Sequence, residues 1–176
     1  MKLSVIIISF NTRELTIGAL ESLATDLSAS NHTRDTEVII VDNASTDDSV
    51  TQISTWLKSS PLRGEILKNK ENLGFARANN QAIAKAQGEL IWLLNSDTIV
   101  ELGTTAAMLQ AFVDHPIDNT TSSLSSHQGK LDRLGILATA LKNPDGTYQP
   151  QGGDLPNLFS LFNHLFFLDD WSKITA

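Results

Sequence analysis

Apolar residues along this chain fall into short unbroken runs that alternate with stretches of helical spacing. Leu3 to Ile8 is apolar and rich in β-branched residues, and Val38-Ile39-Ile40-Val41 follows Glu37 in the same style. Glu65-Ile66-Leu67-Lys68 holds a weaker run. Leu90 to Leu94 is apolar without a break, between Gly88-Glu89 and the polar triplet Asn95-Ser96-Asp97. Short apolar runs with polar boundaries predict strands buried on both faces, as parallel strands in α/β folds are. The last run predicts a central strand, with Gly88 as the stop of the helix before it.

Helical spacing fills the intervals. Asn11 or Thr12 caps a helix with Leu15, Ala19, Leu20, Leu23 and Leu27 on one side, and Ala29 to Thr36 reads as a loop. Asn43 to Asp48 is rich in caps and acidic first-turn residues, and Val50, Ile53 and Leu57 give the next stripe, ended at Pro61. After the loop Asn69 to Gly74, Phe75 to Gln87 predicts an alanine-rich helix with Phe75, Ala78, Ala82, Ile83 and Ala86 inward. Leu102 to His115 is amphipathic through Met108, Leu109, Phe112 and Val113, and stops at Pro116. The alternation β-α-β-α-β-α-β-α predicts an α/β fold, a mostly parallel sheet with helices on both faces.

Beyond Pro116 the character changes. Residues 118–130 are polar and serine-rich and are expected to be mobile. Gly135 to Leu141 predicts a strand, and Asn143-Pro144-Asp145-Gly146 predicts a turn. Leu158 to Leu168 is aromatic and apolar, interrupted by Asn163 and His164. The expected division is a core over residues 1–116 and a second region over 117–176.

Composition narrows the function. The chain has 176 residues, 41% hydrophobic and 19% charged, which suits a globular domain. A formal net charge of -7 argues against nucleic acid as a partner, yet leaves room for one nucleotide whose phosphates a metal ion bridges to carboxylates. There is no cysteine, hence no disulfide framework and no thiolate metal site. The first residues lack the pattern of a secretory leader, and no apolar run approaches the roughly 18 residues of a membrane span. The expected location is therefore cytoplasmic, which makes the glycosylation-like triplets at Asn31, Asn43 and Asn119 coincidental.

Four polar clusters fall at strand ends or in the loops after them: Ser9-Phe10-Asn11, Asp42-Asn43, Asn72-Leu73-Gly74 and Asn95-Ser96-Asp97. In a parallel sheet they emerge on one edge, where open α/β sheets bind ligands. Each cluster alone reads equally well as a helix cap. Their convergence suggests a nucleoside diphosphate held with a divalent cation. Asp97 is a hard oxygen ligand for Mg²⁺ or Mn²⁺, with Asn95 and Ser96 as neutral neighbours; Mg²⁺ needs only one or two protein carboxylates. Asp42 can accept from a pyrimidine N3–H, Phe10 can cover the base, and Gly74 permits close backbone approach. For Arg77 two readings stand, a phosphate contact and an ion pair with a nearby carboxylate.

These motifs carry a resemblance. Val5 to Asn11, Val41 to Ser49, Asn72 to Asn80, Leu93 to Thr98 and Asn143 to Gly146 together resemble a family 2 glycosyltransferase of the GT-A (Rossmann-like) fold, close to the bacterial rhamnosyltransferase-like branch. The resemblance implies a donor-binding half over 1–116, then the start of an acceptor-side region. It implies that Ser9, Asn11 and Asp42 line the nucleoside pocket. Asn95-Ser96-Asp97 would occupy the family's DxD position, with Asp97 on the metal. The implied reaction is inverting transfer from a nucleotide sugar to a glycan or lipid-linked acceptor of the cell envelope.

Two departures stand out. The first acid of the DxD is Asn95, a change this branch often carries. The family's later acidic motif, which holds the catalytic base, has only a superficial counterpart in Asp169-Asp170, so the base is unassigned and the chain is expected to be a truncated, donor-binding portion. The aromatic stretch up to Trp171 has two readings: a helix packed on a missing half or a second copy, giving a homo-oligomer, or a lipid-facing surface giving peripheral membrane association at the inner face. A non-catalytic nucleotide-sugar-binding module is the alternative reading. A sugar nucleotidyltransferase is disfavoured because Ser9-Phe10-Asn11-Thr12-Arg13 has no glycine, and a dehydrogenase because no G-x-G-x-x-G follows the first strand.

Overall fold

The apolar runs become four parallel strands. In the computed structural model, which describes residues 2–115 and 135–149, β1 is Leu3–Ser9, β2 Thr36–Asp42, β3 Arg63–Lys68 and β4 Leu90–Asn95, with α1 Arg13–Ala29, α2 Ser49–Ser59, α3 Phe75–Ile83 and α4 Thr104–Asp114 between and after them. The sheet order is β3-β2-β1-β4, all neighbours parallel. Registers run Ser9↔Asp42, Asp42↔Lys68 and Ile8↔Asn95, so the polar ends of the strands lie side by side. Two compact units, Met1–Gly135 and Ile136–Ala176, divide the chain. The serine-rich stretch 118–130, the aromatic stretch 158–171 and Asp169-Asp170 lie outside the described residues.

Strand alternation sends side chains to two faces, and each face has its own helices. Val5, Ile7, Val38 and Ile40 pack with Leu20, Leu23 and Leu27 of α1 and Ile53 of α2. Ile6, Ile39, Val41 and Leu67 pack with Ala78 and Ala82 of α3. This is the α/β sheet with helices on both faces that the alternation predicts.

Several expectations are corrected. Among the described residues β4 is an outer strand rather than a central one, and it is not buried on both faces: Ile91 and Leu93 are 43% and 48% exposed, while Leu94 is buried. The cause is α3, whose small Ala78 and Ala82 let it lie over β1 and β2, leaving the same face of β4 uncovered. Only Ala78 and Ala82 of the expected α3 stripe are fully buried; Phe75 sits in the first turn and is exposed, as is Ile83. On α1 the buried stripe takes Thr16 in place of the exposed Leu15. On α4 Leu109 is buried and Val113 exposed. Gly135 to Leu141 forms no strand, because it has no partner to pair with along its length among the described residues. The turn Asn143 to Gly146 does form, closed by Gly146 N–H donating to Asn143 O (2.9 Å) and flanked by the bridge Lys142↔Tyr148.

Gly88 does not stop a helix, since α3 ends at Ile83. It is needed for closeness: a Cβ there would lie 2.5 Å from Ser4 N and 2.8 Å from the Leu3 carbonyl carbon. Its N–H donates to Ser4 Oγ (2.8 Å), Ser4 Oγ donates to Glu37 Oε1 (2.5 Å), and Gln87 N–H donates to the same oxygen (2.6 Å). This strap ties the entry of β4 to β1 and β2 at the end of the sheet away from the polar clusters.

Candidate functional site

The rim is built where the strands end. Ser9 is fully buried and its hydroxyl is engaged internally, sharing hydrogen bonds with Thr12 (3.2 Å) and Thr16 (3.1 Å). Thr12, the N-cap of α1, makes no side-chain cap; its hydroxyl donates instead to Ser96 Oγ at 3.4 Å. A chain of hydroxyls thus links the end of β1 to the triplet after β4.

Neither expected cap closes α1 in the usual way. Asn11 adopts a left-handed φ of 52° and turns outward. Its N–H donates to Ser45 Oγ (2.9 Å), and its Oδ1 accepts from Thr46 N–H (2.8 Å). Ala44 is also left-handed at φ 69°, uncommon for a residue with a Cβ. Left-handed backbone at two adjoining loops is the kind of strain that collects at ligand sites. Arg13 then pairs with Asp48 Oδ1 (2.5 Å) and Glu14 (2.8 Å), clipping the two loops together on the outside. The hydrogen bonds that Arg13 donates to Glu14 and Asp48 raise its pKa, and the one Asp48 accepts lowers that of Asp48.

Asp42 is 3% exposed. Its Oδ2 accepts from Ser45 N–H (3.1 Å), whereas its Oδ1 is buried with no hydrogen-bond partner among the described residues. A buried acceptor left unpaired costs about 1–3 kcal/mol, more for a charged group. Beside it, Asn43 is equally buried and serves as a hub. Its backbone N–H donates to Ser9 O (2.8 Å), its amide N–H to Asn72 Oδ1 (2.7 Å), and its Oδ1 accepts from Asn69 Nδ2 (3.1 Å) and Leu73 N–H (3.0 Å). Asn72 Oδ1 also accepts from Gly74 N–H (2.9 Å). Asn72 is therefore a loop fastener. Gly74, the N-cap of α3, has φ 77° with nothing within 4 Å of a notional Cβ, so its backbone conformation, not space, demands glycine.

The remaining predicted residues are open. Phe10 and Arg77 are exposed, and Arg77 forms no ion pair among the described residues. Asn95 ends β4 and is exposed, Ser96 is half-buried, and Asp97 is exposed with no hydrogen bond or ion pair among the described residues. Beside the Thr12 contact to Ser96, a turn bond from Thr98 N–H to Asn95 O (3.3 Å) shapes the triplet. No group of three or more His, Cys, Asp or Glu suited to a metal occurs among the described residues. The free Asp97 carboxylate fits a divalent ion of the kind that takes one protein oxygen and completes its shell with phosphate and water.

Thr12, expected only as a cap, Asn43, expected only beside Asp42, and Ser45 hold this rim in shape. Asn43 reads as a turn residue, and only its place directly after a strand-end aspartate hints at more. A shallow pocket of about 210 Å³, lined by Glu37, Arg63, Gly64 and Gln87 among others, lies at the opposite edge, where Glu37 is already satisfied. No helix among the described residues is long and apolar enough to cross a membrane.

Comparison with known proteins bears on the family and the fold. The family described as Glycosyl transferase family 2 matches residues 4–169. The chain is 31% identical over 111 residues to YfnE of Bacillus subtilis, described as an uncharacterized glycosyltransferase, covering 63% of this chain and 27% of that protein. Among solved structures, S. aureus TarS in complex with UDP superposes with a TM-score of 0.59 at 25% identity, covering 65% of this chain and 33% of TarS. The mannosyltransferase PcManGT of Pyrobaculum calidifontis, in complex with GDP-Man and Mn²⁺, shares the fold (TM-score 0.58, 24% identity, 64% of this chain and 32% of that one). The chain spans about a quarter of YfnE's length and about a third of these structures' chains.

Proposed function

The chain belongs to glycosyl transferase family 2, and from that premise we propose that it carries the donor-binding half of an inverting glycosyltransferase. Its rim takes a nucleoside-diphosphate sugar, and the acceptor is a glycan or lipid-linked hydroxyl of the cell envelope, as in the rhamnosyltransferase-like branch. Residues 1–116 form the donor part, and 117–176 begin the acceptor side. Cytoplasmic chemistry at the inner membrane face belongs to the same reading.

The observation that carries it is the orphaned Asp42 Oδ1, buried at the C-terminal edge of the sheet. An N–H from a pyrimidine base satisfies this oxygen, and that gain favours the nucleoside over water. Phe10, exposed beside β1, covers the base face; Asn11 shapes the loop that borders it. Gly74 and the first turn of α3 give the phosphates a close backbone approach, with Arg77 supplying charge. UDP in the related TarS structure supports a pyrimidine nucleotide.

Asp97 holds the divalent cation, Mg²⁺ or Mn²⁺, flanked by Asn95 and Ser96. A bound cation of this kind supplies Lewis acidity toward the diphosphate. The acceptor oxygen attacks the anomeric carbon and loses its proton to a general base. The bond from that carbon to the diphosphate oxygen breaks, and its electron pair leaves with the nucleoside diphosphate. The base lies outside the residues assigned to the rim.

Calorimetric binding of UDP, dTDP and GDP to the chain tests the nucleoside assignment. UDP, dTDP and GDP all present a ring N–H that can donate to Asp42 Oδ1, so each should bind more tightly to the unaltered chain than to Asp42→Ala. UDP and dTDP, whose smaller pyrimidine ring fits beneath Phe10, should bind ahead of GDP. Undiminished affinity for all three in Asp42→Ala would remove Asp42 from the base pocket.

A further inference from the structure

Among the described residues no side-chain bond fixes Asp97, yet a single carboxylate that shares a cation with phosphates must be well placed. What fixes it lies on either side in the chain. On one side, Ser96 Oγ accepts from Thr12. On the other, three backbone N–H groups downstream are held by two side chains of α1. Val100 N–H donates to Ser22 Oγ (3.0 Å), Gly103 N–H to Asp26 Oδ1 (2.6 Å) and Thr105 N–H to Asp26 Oδ2 (2.9 Å).

These anchors have little freedom. Ser22 donates its own proton to Ala19 O (2.9 Å), which leaves a lone pair aimed at Val100. Asp26 is fully buried, both its oxygens are used, and its neighbours Leu23 and Leu27 are fully buried. Its charge meets the first N–H groups of α4, where a negative group is favoured. Val100 is buried in the same core cluster as Leu23. The segment from Ser96 to Thr105 is thus tied to α1 and to the residue that caps it, with Asp97 held between the Ser96 and Val100 anchors.

We propose that Ser22 and Asp26 are positioning residues for the cation site, setting the location of the Asp97 carboxylate through the backbone that follows it. This rests on the donor-and-cation reading above. Neither residue touches the ligand. Their contribution is to the metal-dependent part of donor binding and leaves the nucleoside part, built on Asp42 and Asn43, unaffected.

The test titrates Mn²⁺ into the full chain saturated with UDP, for the unaltered protein, Ser22→Ala and Asp26→Asn. In Asp26→Asn an NH₂ group faces an N–H donor, so one link breaks and the pair repels. Apparent Mn²⁺ affinity should fall about tenfold or more, as for other residues that orient a metal ligand, while UDP affinity without metal stays at its original value. Ser22→Ala, a milder change, guards against a folding defect in Asp26→Asn, and Ser22→Thr, which keeps the hydroxyl, should restore Mn²⁺ affinity. Unaltered Mn²⁺ affinity in Ser22→Ala and Asp26→Asn overturns the proposal, as does an equal loss of metal-free UDP affinity, which marks a purely structural role. If the unaltered chain itself shows no Mn²⁺ dependence, the donor-and-cation reading fails first and takes this one with it.

Discussion

Asn43 and Asn72 are joined by a 2.7 Å hydrogen bond from the Asn43 amide to Asn72 Oδ1, and through it the loop before α3 is fastened to the end of β2. Because Asn43 also accepts from Leu73 N–H and Asn69 Nδ2, one buried side chain holds three points of that loop. Asn43→Ala leaves those groups unpaired. The expected cost is about 1–3 kcal/mol, read as a lower denaturation midpoint, together with weaker UDP binding as Gly74 loses its place. An unchanged midpoint would show that water replaces the hub.

Gly88→Ala brings a methyl against backbone that has no room to yield, with Ser4 N at 2.5 Å. Overpacking of this kind costs about 1–3 kcal/mol, occasionally more. Thermal unfolding should register the loss, and a variant of unaltered stability would contradict the close contact between Gly88 and β1.

Glu37 gives a pH signature. Burial pushes its carboxyl up, but hydrogen bonds from Ser4 and from Gln87 N–H, with the Arg63 charge on the paired strand, outweigh it and hold the pKa below the ordinary 4.5. A depressed folded pKa stabilises the fold above the ordinary value, and that stabilisation is lost as pH falls through the lower folded value. Glu37→Gln should therefore be less stable than the unaltered chain near neutral pH. The two unfolding curves should converge in acid, below about pH 4. Curves that stay parallel from neutral to acid pH would contradict the assignment.

The strands were legible because β-branched runs such as Val5 to Ile8 and Val38 to Val41 have few alternatives to a buried strand. The common rim followed, since parallel strands put Ser9, Asp42 and Asn95 at one edge by topology alone. The same unbroken pattern concealed the exposure of Ile91 and Leu93, because an apolar run does not reveal whether a helix as short as α3 reaches over it. Ser22 and Asp26 fall outside the apolar stripe of α1 and carry no signal of their own; their partners lie 78, 77 and 79 positions away, a separation no local pattern encodes. Gly88 was misread because a helix stop and a close backbone contact both call for glycine. Of the two cap candidates, Thr12 takes the N-cap position of α1, whereas the left-handed turn at Asn11 sends it to the neighbouring loop.

The most direct test is a thermal-shift comparison of the chain and Asp97→Ala, each with UDP alone and with UDP plus Mn²⁺. A ligand at a hundredfold excess over its Kd stabilises by about 2.7 kcal/mol, enough to move the midpoint by several degrees. The unaltered chain should gain from UDP and gain further from Mn²⁺. Asp97→Ala should keep the first gain and lose the second. An undiminished Mn²⁺ gain in Asp97→Ala would contradict the assignment of Asp97 to the cation.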